Sequence, residues 1–185
     1  MPTLRERSIA STIRSVSEGL TGGRTTARPS RTSSSPFPGS ETKSTNFPGL
    51  IIGIKEASGN YSQWLALAGQ VNLQEKALLA GDDDAFAAIL SLGGTGIISA
   101  SSNALPRQFV ELYKAHVSGN PQRAIKIQTQ LAPTLKAFFL ETNPAPVKFA
   151  LSTTKMCSPF LRLPLVETTS ETQSVILSAL RSLES

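Results

Sequence analysis

Three short apolar runs, each followed by a segment of helical pattern, constrain this chain more than any other feature of its sequence. Leu50-Ile51-Ile52-Gly53-Ile54-Lys55, Ala77-Leu78-Leu79-Ala80 and Gly96-Ile97-Ile98-Ser99-Ala100 carry apolar residues without alternation. That pattern predicts strands covered on both faces, as in a parallel sheet. The segments Tyr61 to Ala68, Ala85 to Leu92 and Pro106 to Val117 predict the helices between and after them, with Pro106 suited to a first turn. Repeated βα units of this kind imply a parallel sheet with right-handed crossovers, open or closed into a barrel.

Behind the third unit the pattern turns helical. Pro121 to Leu140 predicts a long helix disturbed at Pro133, Val147 to Met156 a second, and Glu171 to Leu183 a third. Asn143-Pro144-Ala145-Pro146 predicts a stiff connection, because each proline fixes its own φ and pushes the residue before it toward extended geometry. With 185 residues and 39% hydrophobic content, the chain has enough material for one sizeable core.

Charge is uneven. Residues 1–49 hold seven Lys/Arg against three acids, and residues 50–185 eleven against ten. A nucleic-acid surface would cluster its cations on a folded element, so the near-neutral ordered part argues against that partner. Nor does any apolar stretch approach the roughly 20 residues of a membrane span, and the N-terminus lacks the apolar core of a secretory signal. The first 49 residues are rich in Ser and Thr and broken by Pro29, Pro36, Pro38 and Pro48, a composition expected to be disordered. Their Arg-rich, acid-poor character fits an organelle transit peptide and fits unselected sequence equally; without such a leader the expected location is the cytoplasm.

Lys55 stands out as a candidate nucleophile. Burial disfavours a charged ammonium, so a lysine kept dry at a strand end offers a neutral amine able to form a Schiff base with a carbonyl. On spacing alone the commoner role of such a lysine is a solvated charge. Other apparent motifs do not hold on context. Gly93-Gly94-Thr95-Gly96 precedes its strand, whereas a phosphate loop follows one and opens a helix. Asp82-Asp83-Asp84 is expected to cap the helix behind it rather than bind a cation. His116 lacks a glycine-framed serine elbow elsewhere and reads as an ordinary surface or core histidine. Cys157 excludes an intrachain disulfide and is expected to be a small buried apolar residue. Asn60-Tyr61-Ser62 matches the glycosylation pattern but lacks a secretory leader.

Five segments in order carry a resemblance: Ile52-Gly53-Ile54-Lys55-Glu56-Ala57-Ser58-Gly59-Asn60, Leu79-Ala80-Gly81-Asp82-Asp83, Gly93-Gly94-Thr95-Gly96-Ile97-Ile98-Ser99, Asn143-Pro144-Ala145-Pro146-Val147-Lys148 and Leu161-Arg162-Leu163-Pro164. Together they resemble the dihydrodipicolinate synthase family, also called 4-hydroxy-tetrahydrodipicolinate synthase; sister aldolases such as N-acetylneuraminate lyase share the lysine and the barrel. The resemblance implies an α/β fold, a (β/α)₈ TIM barrel of which this chain holds the last three βα units and the C-terminal helical region. It implies that Lys55 forms a Schiff base with pyruvate and that the enamine attacks aspartate semialdehyde in lysine biosynthesis, with no cofactor and no metal. Ile98 would line the pyruvate pocket through its backbone, Gly81 would sit at the mouth of the preceding strand, and the family forms homo-oligomers.

Pro29-Ser30-Arg31-Thr32 is similar to the family's arginine motif, which implies that Arg31 binds the aldehyde substrate's carboxylate through its planar fork. The Tyr-Asn that should precede it is replaced by Thr25-Thr26-Ala27-Arg28. The resulting division is residues 1–28 as leader, 29–120 as partial barrel and 121–185 as helical region. A full barrel takes roughly 250 residues, so five strands are expected to be missing, and with them the threonine pair and the tyrosine that the resemblance implies as proton relays. Three strands leave two unpaired edges. The expectation is a truncated or frame-shifted relative, inactive unless another chain completes it, with a non-catalytic remnant as the alternative.

Overall fold

Three parallel strands in chain order form the sheet of the computed structural model, which describes residues 50–183. They are β1 (Gly53–Glu56), β2 (Ala77–Ala80) and β3 (Gly96–Ile97). Pairing sets Lys55 opposite Leu79, Glu56 opposite Ala80, and Ala80 opposite Ile97. The helices are α1 (Tyr61–Gln70), α2 (Phe86–Ser91), α3 (Pro106–Val117), α4 (Pro121–Phe138), α5 (Ala145–Thr153) and α6 (Ser170–Ser182), with single 3₁₀ turns at Asp83–Ala85 and Ser101–Asn103. The anticipated leader and the arginine motif around Arg31 lie outside the described residues.

β2 is the strand the pattern anticipated, with Leu78, Leu79 and Ala80 all buried. β1 is not. It begins at Gly53 instead of Leu50, and Leu50 and Ile52 are 75% and 47% exposed, because only β2 flanks it among the described residues. β3 stops after two residues where five were expected. The Ile98 amide still donates to Ala80 O at 2.9 Å, but the chain then turns into the Ser101–Asn103 turn and leaves the sheet.

The core grows outward from β2. α2 lies on that strand with Phe86, Ala87, Ile89 and Leu90 buried, and α3 and α4 cover α2 in turn. Gly93 ends α2 at φ +91°, and a Cβ on Gly94 would lie 2.5 Å from Ile89 Cγ2, so this glycine pair is a helix stop packed against its own helix. α3 buries Phe109 and Leu112, and α4 buries Leu131, Leu135 and Phe138. A fully buried Thr134 donates its hydroxyl to Ala179 O at 3.2 Å and ties α4 to α6.

Four expectations for the C-terminal part need correction. Pro133 does not disturb α4, which runs unbroken; the ring is exposed, so the lost backbone bond faces solvent. Pro146 lies in the first turn of α5, so the Asn143–Pro146 connection is half loop and half helix start. α5 also ends at Thr153, short of Met156, with Lys155 at φ 60° turning the chain away. Cys157 is exposed, because it follows this turn instead of lying on the helix's buried face. His116 is half-buried on α3, with Nδ1 enclosed and without a hydrogen-bond partner among the described residues. Among the described residues no helix is long and apolar enough to cross a membrane.

Candidate active site at the strand ends

The segment Lys55 to Asn60 converts a strand into a helix within a few residues. Asn60 caps α1, its Oδ1 accepting from Ser62 N at 3.0 Å and Gln63 N at 3.3 Å. Gly59 supplies the left-handed φ of +63° that the turn demands, and Ser58 Oγ accepts from Asn60 N at 3.2 Å. Side chains alternate along β1, so Lys55 and Glu56 point to opposite faces. Glu56 is only 4% exposed; Oε1 accepts from Ser58 N at 2.6 Å and Oε2 from Gln63 Nε2 at 3.1 Å. It binds the turn to α1 and fixes the strand end that carries Lys55. Sequence reasoning passed over Glu56, although a carboxylate directly after an apolar strand, on the face opposite the lysine, was the available signal.

Lys55, Gly81 and Ile98 come together at the C-terminal ends of the three strands. The register sets Gly81 one step beyond the Glu56–Ala80 and Ala80–Ile97 pairs, between Ala57 and Ile98. Its amide donates to Glu56 O at 2.6 Å. A Cβ on Gly81 would lie 2.5 Å from Ala57 Cβ, 2.7 Å from Glu56 O and 3.0 Å from Lys55 Cε. Glycine is therefore required by close approach, and the lysine side chain runs directly over it. The dry amine anticipated for this position is not found: Lys55 is exposed, because its side chain leaves the face of an edge strand that no further strand covers among the described residues.

The acids behind β2 also differ from expectation. Neither 3₁₀ turn nor α2 has a side-chain cap from Asp82, Asp83 or Asp84 of the kind foreseen. Instead Asp83, itself buried, reaches across to the turn after β3, where Oδ2 accepts from Ser101 N at 2.9 Å and Ser101 Oγ at 2.5 Å. Burial pushes the Asp82 carboxyl above the usual carboxylate range; the charges of Asp84, Glu56 and Asp83 add to this and a bond from the Gly59 amide opposes it. A raised value means that ionised Asp82 costs stability, a cost absent in acid that enters as pH rises through the folded value. Among the described residues no group of three or more His, Cys, Asp or Glu could hold a metal ion.

Parallel βα units that present a lysine, a glycine and a free strand end at one mouth define part of a (β/α)₈ barrel, the class whose active sites lie at the C-terminal ends of its strands. The sequence matches the Dihydrodipicolinate synthetase family over residues 27–183, and the chain belongs to that family. It is 43% identical over 134 residues to the 4-hydroxy-tetrahydrodipicolinate synthase of Kosmotoga olearia, covering 71% of this chain and 45% of that protein. The crystal structure of dihydrodipicolinate synthase from Thermotoga maritima superposes with a TM-score of 0.73 at 33% identity, covering 76% of this chain and 48% of that one. The chloride-inhibited enzyme from Acinetobacter baumannii, complexed with pyruvate, gives 0.72 at 28% identity, covering 78% and 49%. The chain thus spans about half the length of these relatives.

Proposed function

We propose that this chain carries the imine-forming part of a pyruvate-condensing lyase, with Lys55 as its nucleophile. The observation that carries the reading is the placement of Lys55 near the mouth of β1, its Cε lying over Gly81, with Ile98 following β3 at the same end of the sheet. The unprotonated Nζ of Lys55 adds to the keto carbon of pyruvate and water leaves, giving an imine. Loss of a methyl proton then gives an enamine whose carbon attacks the aldehyde of aspartate semialdehyde. Gly81, lacking a side chain, lets the lysine chain lie across the strand end where the keto acid would bind. The Ile98 carbonyl supplies an acceptor at the pocket wall, and Arg31 holds the second substrate's carboxylate through paired N–H bonds. These roles, the homo-oligomeric state and the cytoplasmic location belong to the same reading, as does N-acetylneuraminate-type cleavage as an alternative acceptor chemistry.

The exposure of Lys55, and a β1 flank left uncovered among the described residues, favour a second reading, in which this chain is a non-catalytic remnant or interaction fragment. One experiment separates them. The 185-residue chain is incubated with pyruvate and borohydride and digested, and the peptide bearing Lys55 is weighed. A reduced pyruvate adduct on Lys55, absent in Lys55→Arg, is the expected result; an unmodified Lys55 at saturating pyruvate leaves the remnant reading.

A further inference from the structure

Asp83 is bound from behind and grips what lies in front of it. Its own carbonyl accepts from Gln128 Nε2 at 3.0 Å, and Gln128 Oε1 in turn accepts from Ala87 N at 3.2 Å, so α4 holds the turn after β2. Its carboxylate Oδ2 takes both the amide and the hydroxyl of Ser101. Just ahead of each anchor in the chain lies a backbone position at the same end of the sheet as Lys55, Gly81 two residues before Asp83 and Ile98 three before Ser101. Sheet bonding gives the second of them little support. The bond from Ile98 N to Ala80 O continues the β2–β3 pairing past Ile97, and the chain from Ser99 onward is held by the Ser101 bonds and by Ser99 Oγ accepting from Ser102 N at 2.8 Å.

Asp83 is also more costly than its bonding requires. It is 3% exposed, and Oδ1 is enclosed without a partner among the described residues. A buried carboxylate with one oxygen unsatisfied lowers stability, and native proteins retain such groups where another constraint outweighs the loss.

We propose that Asp83 is a positioning residue for the pyruvate site: by holding Ser101 it fixes the Ile98 carbonyl relative to Gly81 and Lys55. The inference rests on the reading of Lys55 as the imine-forming amine. Asp83 forms no bond to Lys55; it acts through Ser101 on the wall that the keto acid meets.

The test measures borohydride trapping of pyruvate on the full chain, as a function of pyruvate concentration, for wild type, Asp83→Asn, Ser101→Ala and Ser101→Thr. Ser101→Ala keeps the amide bond to Asp83 and removes only the hydroxyl, so it answers the question even where Asp83→Asn folds poorly. Displacing a pocket wall weakens substrate placement, and half-saturating pyruvate is expected to rise about tenfold in Asp83→Asn and about threefold in Ser101→Ala. The limiting trapping rate stays near wild type, and Ser101→Thr, which keeps a hydroxyl, leaves half-saturation at the wild-type value. Trapping in wild type with unchanged half-saturation in both disrupting variants overturns the inference and leaves Lys55 as nucleophile. A fall of the limiting rate with half-saturation unmoved overturns it as well. Absence of any adduct in wild type removes both the reading of Lys55 and the positioning role built on it.

Discussion

The strand mouth and the helical layers are built to different standards. Behind β2, the side chains of Phe86, Leu112, Leu131, Phe138 and Ile176 are enclosed, and the polar Thr134 among them has its partner. At β1, the edge strand beside β2, Leu50, Ile52, Tyr61 and Leu65 stand about half exposed or more, and the indole nitrogen of Trp64 is enclosed without a partner among the described residues. The contrast teaches that the fold is carried by β2 and the helices beyond it, whereas the strand bearing the candidate nucleophile is held by one ladder and one buried glutamate. Stability and the proposed chemistry therefore fall in separate parts of this chain, and mutations should separate them.

The largest separation is expected from Phe138→Ala, which empties a fully buried site and should cost about 3–5 kcal/mol in denaturant unfolding. Leu65→Ala on the half-exposed face of α1 should stay within about 0.5 kcal/mol in the same experiment. Equal losses from the two would break the comparison.

Gly81→Ala should reverse the pattern. Its methyl meets Ala57 Cβ, the Glu56 carbonyl and Lys55 Cε, so we expect a loss of about 1–3 kcal/mol from overpacking. Pyruvate trapping on Lys55 should fall by about tenfold or more as the lysine chain is displaced. Trapping unchanged beside a measured loss of stability would detach Gly81 from the site.

A smaller effect sharpens the helical side. Thr134→Val keeps shape and removes the hydroxyl that reaches Ala179, and should lower stability by about 0.5–1.5 kcal/mol. The smallest is a pH effect at the entry to α6. Bonds from the Thr172 and Thr169 hydroxyls and the Thr169 amide hold the exposed Glu141 carboxyl below its ordinary value of 4.5. A lowered value stabilises the fold above pH 4.5 and the contribution fades as pH falls through the folded value. The difference in melting temperature between wild type and Glu141→Gln should accordingly be present at neutral pH and vanish in acid.

Local chemistry explains what could be read without a structure. β2 is bounded by Lys76 and Gly81, and α3 by Pro106 at its start and Ser118-Gly119 at its end; each boundary is a residue adjacent to the element, and both elements fall where expected. β3 fails because its stop is distant: Asp83 pulls Ser101 out of the sheet from another loop, and no periodicity records that bond. The same distance hid Asp83's role, since three adjacent acids read naturally as a cap for the helix beside them. The strand pattern alone singled out Lys55 as a candidate, whereas the role proposed for Gly81 came from the family resemblance. The exposure of Lys55 was not legible, because an apolar run announces that a strand is made to be covered without saying which neighbour covers it.

The short helix α2 has a consequence for how the molecule is made. Phe86, Ala87, Ile89 and Leu90 are buried on several sides at once, some against β2 and some beneath α3 and α4. During synthesis from the N-terminus, its outward side has nothing to rest on until residues 106–138 have left the ribosome. For that interval this greasy hexamer is an aggregation hazard, and slowing translation just after residue 91 should raise the share of nascent chains captured by chaperones.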